Sequence, residues 1–307
     1  PVFMIESGPA AGVIASHALA RAQGILNAIT FDMGGTTAKA SIIENGALNT
    51  AAEYEVGSAL SLVSRLIKGG GHLIRVPAID VAEVGAGGGS IAWLDAGGAL
   101  HIGPRSAGAA PGPVCYDQGG AEVTSTDANL VLGYINSDGL VGGGMPLHRA
   151  KAEEALRRQV AEPMGMTLME AAYGVHLLAN SSMMRAVRAV STERGRDLRD
   201  YVLIAFGGGG PLHACEMARS LEMKEAVIPP PSPASSAPSA CWPPTSSTIT
   251  SRRISRRLRK STSPASTPRS RPSSAMCAGC WPPKVLRPKP SRSSATPTCA
   301  TPGNPPS

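Results

Sequence analysis

Phe31-Asp32-Met33-Gly34-Gly35-Thr36-Thr37-Ala38-Lys39 decides how this chain is read. Residues 28–33 and 38–44 on either side are short β-type runs, so the two glycines fall at the corner of a hairpin. An acidic residue ending a strand, followed by two glycines and two hydroxyl residues, can gather backbone N–H donors and hydroxyls around a phosphate. The glycines admit a close backbone approach, and the carboxylate can hold a hydrated Mg²⁺ against phosphate oxygens. The segment lacks the Gly-Lys-Ser/Thr ending of a Walker loop and is not a Rossmann fingerprint. Taken alone, it can equally be a hairpin whose glycines only turn the chain.

Two further glycine clusters bear on that choice. Gly207-Gly208-Gly209-Gly210 lies between a buried-type strand at 201–206 and a helix at 211–221 that begins with Pro211. Backbone donors at such a helix start suit a phosphate, and a loop without side chains leaves room for a base or ribose. Gly87-Gly88-Gly89-Ser90 sits between β-type runs at 81–84 and 90–94. Three such loops in one body point to a shared ligand site.

Outward from these loops, residues 10–22 read as a helix entered through a Ser7-Gly8-Pro9 turn. Glu44-Asn45-Gly46 turns the chain into a third run ending near Val56. Further β-type pieces fall at 73–76, 99–102 and 226–228, and helices at 126–134, 147–160 and 168–193. Thr167 with Glu170 three residues later forms a capping box for the last of these. Strands alternating with helices after an early meander predict an α/β architecture.

The formal charge of +7 misleads. Residues 232–307 hold twelve of the 29 Lys and Arg and no Asp or Glu, leaving 17 basic and 22 acidic residues, a net of −5, in 1–231. The basic pI therefore describes the tail and gives no nucleic-acid reading for the body. Only Cys115 and Cys215 fall in the body, and no apolar run approaches the ~18 residues of a membrane span. A reduced, cytoplasmic protein without membrane or nucleic-acid partners is expected.

Six blocks carry a resemblance: Ser7-Gly8-Pro9-Ala10-Ala11-Gly12, FDMGGTTAKA, EVGAGGGSIA, GPRSAGAAPGPVCY, TDANLVLG and FGGGGPLHA, in this order within residues 1–233. Together they resemble the hydantoinase/oxoprolinase family, which includes N-methylhydantoinase A, 5-oxoprolinase and acetone carboxylase β-type subunits. The resemblance implies a partial actin-like ATPase (ribonuclease H-like) superfold, α/β with glycine-rich β segments, in which ATP binds between two domains. Asp32, Gly34, Gly35, Thr36 and Thr37 match the second phosphate hairpin. Asp32 would hold Mg through water, and Thr36 and Thr37 would position the phosphoryl group. Gly207, Gly208, Gly209 and Gly210 match the adenosine loop; His213, and the Gly87, Gly88, Gly89 and Ser90 loop, are expected to touch the cofactor. Lys39 stands where many members carry an acidic residue. The implied activity is ATP-driven phosphorylation of a carbonyl or amide oxygen of a cyclic amide or ketone, with a partner subunit of the hydantoinase B type. The first phosphate hairpin would belong to an N-terminal domain outside this sequence, so the chain alone is expected to bind ATP weakly or not at all and to be inactive.

Several residues have a plainer reading beside the functional one. Asp127 with Thr126 looks like a helix cap. Asp80 and Glu83 can reach a substrate or metal, or end strands in solvent. His213 can touch ligand oxygens or be a hydrogen-bonded structural histidine. Cys115 is best taken as a small buried residue, and Met183-Met184 as core.

Residues 234–307 are expected to form a disordered Ser/Pro/Arg tail, with Cys277 and Cys280 at most half a zinc site. One base inserted ahead of the Ala234 codon lets residues 234–250 be read as GVFSALGLLAADVEHDY, an apolar helix-like continuation. The tail is therefore expected to be a frameshift product.

Overall fold

The central hairpin forms where the glycines put it. In a computed structural model that describes residues 7–51, 54–56, 72–74, 78–140, 144–229 and 252–255, β1 (Ala28–Met33) and β2 (Ala38–Glu44) pair antiparallel from Ala28↔Ile43 to Met33↔Ala38. Asn45 and Gly46, both at positive φ, turn β2 into β3 (Ala47–Leu48). The third run of the expected meander is broken into β3, β4 (Thr50–Ala51) and β5 (Tyr54–Val56). β6 (His72–Ile74) pairs with β5 and β7 (Ala78–Ile79) with β4; the end of the run expected at 73–76 lies outside the described residues.

β8 (Val81–Val84) completes the outer side of β2, from Ala38↔Val84 to Ser41↔Val81. β9 (Ser90–Leu94) and β10 (Leu100–Ser106) form a separate hairpin, β10 running four residues past the expected end. On the other side of β1, β11 (Val202–Phe206) and then β12 (Glu225–Ile228) add in parallel. The resulting sheet is mixed, in the order β13-β12-β11-β1-β2-β3 with β8 beside β2.

Helices cover both faces because each strand alternates two apolar sets. Ile29, Phe31, Met33, Ala40 and Ile42 meet α5 (Leu168–Val190) and α6 (Gly210–Ser220), through residues such as Met183, Val187, Ala214 and Met217. Ala28, Ile43, Val202 and Ile204 meet Leu19 and Ala20 of α1 (Ser7–Ala22). The expected Ser7-Gly8-Pro9 turn is instead the first turn of α1, where proline is tolerated because that N–H has no helical acceptor. A second apolar cluster joins α2 (Ser125–Val131), α3 (Arg149–Leu156), the π turn Arg157–Ala161 and the start of α5. α4 (Glu162–Met164) then leads into α5, whose Thr167–Glu170 capping box is present. Met183 and Met184 are buried, as read.

Four residues of the expected tail depart from that expectation. β13 (Arg252–Ser255) pairs antiparallel with β12, Ile228↔Arg252 to Glu225↔Ser255, so this piece has strand structure. The rest of the tail, with Cys277 and Cys280, lies outside the described residues.

Candidate functional site

β1 delivers Asp32 to the corner of the sheet, and the Gly34 N–H donates to Thr37 O at 3.0 Å to close the turn. Gly34, Gly35 and Thr36 are exposed, Asp32 and Thr37 half-buried. The other two glycine loops abut this turn directly. From one side, Gly88 N–H donates to Gly34 O at 3.1 Å and Gly89 N–H to Gly35 O at 2.6 Å. From the other, Gly209 N–H donates to Met33 O at 3.0 Å. The carbonyls of Met33, Gly34 and Gly35 are thus taken by flanking loops, while the turn itself stays open to solvent.

Such contacts require glycine. A Cβ on Gly87 would come within 2.7 Å of Gly35 C and O. At Gly207, whose φ is +78°, a Cβ would run into Asp32 Oδ1 and lie 2.6 Å from Met33 O. Gly207→Ala is therefore expected to cost about 2 kcal/mol or more, the sum of backbone strain and steric displacement. Gly208→Ala, with nothing within 4 Å of its Cβ, should cost little. Urea midpoints of the two variants check this, and equal midpoints would mean the loop does not sit against Asp32.

The third loop plays a different part from the one expected. Gly87, Gly89 and Ser90 are buried, and Ser90 Oγ accepts from Gly87 N–H at 2.9 Å. With the Gly88 and Gly89 amides donating to the hairpin, this loop backs the turn and its donors are not available to a phosphate. Gly207 and Gly208 are exposed, Gly209 is half-buried and Gly210 begins α6 inside the core.

His213 departs from its ligand-contacting reading in the same way. It is fully buried, with its ring nitrogens 3.2 Å from Asn129 Nδ2 and 2.6 Å from Asn180 Oδ1. Its ring stacks on that of His176 at 4.7 Å, and His176 Nδ1 lies 2.8 Å from Asn129 Oδ1. Burial lowers the pKa of His213 to about 3 and of His176 to about 4, so both imidazoles are neutral. Asn129, His176 and Asn180 did not stand out in the sequence. The available signal was a polar stripe, Tyr173, His176 and Asn180, at helical spacing along α5.

Asp80 and Glu83 are not loose strand ends, since each pairs with a basic side chain. Asp80 is buried in a two-pronged ion pair with Arg194. Glu83 lies 3.4 Å from Lys39 Nζ. In register, Asp32 opposes Lys39 and Lys39 opposes Glu83, which puts the three side chains on one face of the sheet. Asp127 acts as a cap, with Thr124 as the N-cap residue. Fully buried, its carboxylate accepts from Thr124 N, Thr124 Oγ1, Val114 N and Cys115 N at 2.8–3.2 Å. Cys115 is buried, and desolvation with the nearby Asp127 charge pushes its thiol well above the usual range.

A groove of about 490 Å³, lined by Arg105, Ser106, Ala107, Pro111, Gly120 and Glu122, opens beside the backing loop. Ala107 N–H donates to Gly89 O at 2.8 Å, so the GPRSAGAAPG block forms a wall next to the glycine assembly. Among the described residues, no three His, Cys, Asp or Glu side chains converge as a metal cage, and no helix is long and apolar enough to cross a membrane.

Comparison with known proteins adds ancestry to this geometry. The profile of the hydantoinase/oxoprolinase family matches residues 1–242. An uncharacterized protein of Methanocaldococcus jannaschii is 50% identical over 230 residues, covering 75% of this chain and 33% of the relative. The caprolactamase subunit alpha of Pseudomonas jessenii is 44% identical over 228 residues, covering 74% and 31%. The crystal structure of that ATP-dependent caprolactamase superposes with a TM-score of 0.61 at 43% identity, covering 73% of this chain and 30% of the other. Nucleotide-free acetone carboxylase superposes with a TM-score of 0.61 at 30% identity, covering 72% and 30%. The chain spans about a third of the length of the curated relatives it matches. With a family profile spanning most of its length and three glycine loops joined at one turn, the chain belongs to the hydantoinase/oxoprolinase family.

Proposed function

We propose that this chain forms one half of a nucleotide cleft of the actin-like superfold, in an enzyme that uses ATP to activate a carbonyl or amide oxygen. The observation that carries the reading is the exposed Gly34-Gly35-Thr36 turn, with Asp32 and, against it, the exposed Gly207-Gly208 backbone on one side. A sheet centred on an antiparallel hairpin, with two parallel strands added on one side, supports that superfold. The turn would receive the phosphates, with Thr36 and Thr37 offering hydroxyl donors. Gly207 and Gly208 would leave space for the nucleoside. Asp32 would hold a hydrated Mg²⁺; one carboxylate suffices for an ion that keeps several waters and binds phosphate oxygens. That ion, when bound, neutralises charge on the phosphates.

In the proposed reaction the substrate oxygen attacks the terminal phosphorus and ADP leaves. Water then adds to the activated carbon, the ring C–N bond breaks with the nitrogen leaving as an amine, and a second water hydrolyses the resulting acyl phosphate to carboxylate and phosphate. The chain's own contribution is to fix donors where charge develops, which is worth most in a site that excludes water. The caprolactamase relative supports a cyclic amide as substrate, and acetone carboxylase supports a ketone; in the ketone case the phosphorylated enol's own carbon is the nucleophile, attacking the carbon supplied by bicarbonate, and phosphate leaves as the ketone re-forms. Because related proteins are subunits, a partner of the hydantoinase B type is part of the proposal. The test supplies Mg-ATP to the protein assembled with that partner, with cyclic amides in one series and ketones plus bicarbonate in another. Phosphate release coupled to ring opening is expected. Release only with ketone and bicarbonate would assign it to the carboxylases. Phosphate release unaffected by every substrate would reject the reading.

A further inference from the structure

Behind the glycine assembly lies a buried polar chain that the proposed chemistry does not use. Asn129, His176, Asn180 and His213 are each 2% exposed or less. They come from three helices: Asn129 from α2, His176 and Asn180 from α5, His213 from α6. As oriented, Asn129 Nδ2–H donates to His213 Nε2, which leaves the proton on His213 Nδ1 to donate to Asn180 Oδ1. His176 Nδ1–H donates to Asn129 Oδ1. The order His176, Asn129, His213, Asn180 is thus one directed hydrogen-bond chain through the core.

What makes it consequential is where its helices begin. α2 grips the backing loop: Thr126 N–H and Thr126 Oγ1–H both donate to Gly88 O at 2.9 Å, less than a turn before Asn129. α6 begins in the other glycine loop at Gly210, one turn before His213. The Asn129–His213 bond therefore ties together the two elements that flank the Gly34-Gly35 turn, and Asn180 and His176 anchor that tie to α5. A buried polar network of this kind is costly unless its groups are satisfied, and once satisfied it specifies one packing arrangement. Apolar side chains at the same sites would fill the space but would not fix the relative rotation of α2 and α6.

We propose that Asn129, His176, Asn180 and His213 are positioning residues that set the spacing of the Gly87–Gly89 and Gly207–Gly210 loops around the hairpin, and thereby the fit of a nucleotide's phosphates in the turn. The ligand part rests on the nucleotide reading above; the spacing part does not. Asn180 Nδ2 finds no hydrogen-bond acceptor among the described residues, so Asn180→Leu removes an unsatisfied donor along with a single bond and is the mildest break in the chain. His213→Phe keeps a ring for stacking and removes both bonds.

Amide hydrogen exchange on the full chain reads the spacing. In both variants the amides of Gly88, Gly89 and Gly209 should exchange at least ~10-fold faster than in the unmodified protein, while those of Val202–Phe206 keep their rates. Unchanged exchange at the three glycines in a folded variant overturns the tie, and so does uniform acceleration that includes Val202–Phe206. If His213→Phe does not fold, Asn180→Leu decides. In parallel, Mg-ATP titrated into the assembled enzyme carrying the same substitutions should bind at least ~10-fold more weakly than to the unmodified assembly. Loosened glycines with unchanged Mg-ATP affinity would overturn the link to the ligand. No Mg-ATP binding by the unmodified assembled enzyme would reject the nucleotide reading and leave the exchange result to judge the tie.

Discussion

Under the proposed function, asparagine in place of Asp32 is expected to lower ATP-dependent turnover of the assembled enzyme by about 10², the usual scale when one transition-state electrostatic group is removed. The substitution keeps the side-chain shape and removes the negative charge. It should therefore leave the fold intact, since the strand pairing of Asp32 with Phe206 and Lys39 is made by the backbone. A carboxylate that positions a hydrated cation makes a distinctive demand: raising Mg²⁺ should recover part of the lost rate in the variant but hardly alter the unmodified enzyme. Steady-state rates across a Mg²⁺ series measure both effects. Full turnover in a folded Asp32→Asn protein would remove Asp32 from the chemistry and leave the hairpin as a turn.

The strands were legible where local chemistry ends them. β1 and β2 have the limits that Gly34-Gly35 and Asn45-Gly46 impose, and the Thr167–Glu170 box starts α5 where it should. The three glycine loops singled out in the sequence do meet, at the Met33–Gly35 turn. What could not be read was which groups on each loop face inward. Ser90 and His213 carry polar atoms suited to a ligand, yet both spend them inside the protein, on Gly87 and on Asn129 and Asn180. Their partners are set by tertiary packing: His213 meets Asn129 across 84 residues, and Arg194 meets Asp80 across 114. No period in a single sequence encodes such a pairing. Asp127 is an intermediate case: it does cap a helix, but as the N3 member of a box whose N-cap is Thr124, where the sequence points to Thr126 beside it.

The two buried histidines give the second large effect, a loss of stability in mild acid. Folded, His213 and His176 hold pKa values of about 3 and about 4, lowered by burial from 6.5. Above pH 6.5 neither the folded nor the unfolded chain binds a proton at these rings, and their contribution is fully present. As pH falls below 6.5 the unfolded chain takes up two protons that the folded core refuses, so stability is lost until the folded values are reached near pH 3–4. By pH 5 the loss is about 2 kcal/mol for each histidine, about 4 kcal/mol together, a large share of a typical domain's stability. Glu44, held below the usual carboxylate range by its hydrogen bond from Arg196, loses its stabilising charge at lower pH and so does not mimic the effect. Urea unfolding between pH 7 and 4.5 should show stability falling with a slope of up to two protons. His213→Phe should remove one of them. A flat profile over that range would mean the rings are solvated or already charged in the folded protein, and the neutral hydrogen-bond chain behind the glycine loops would have to be abandoned.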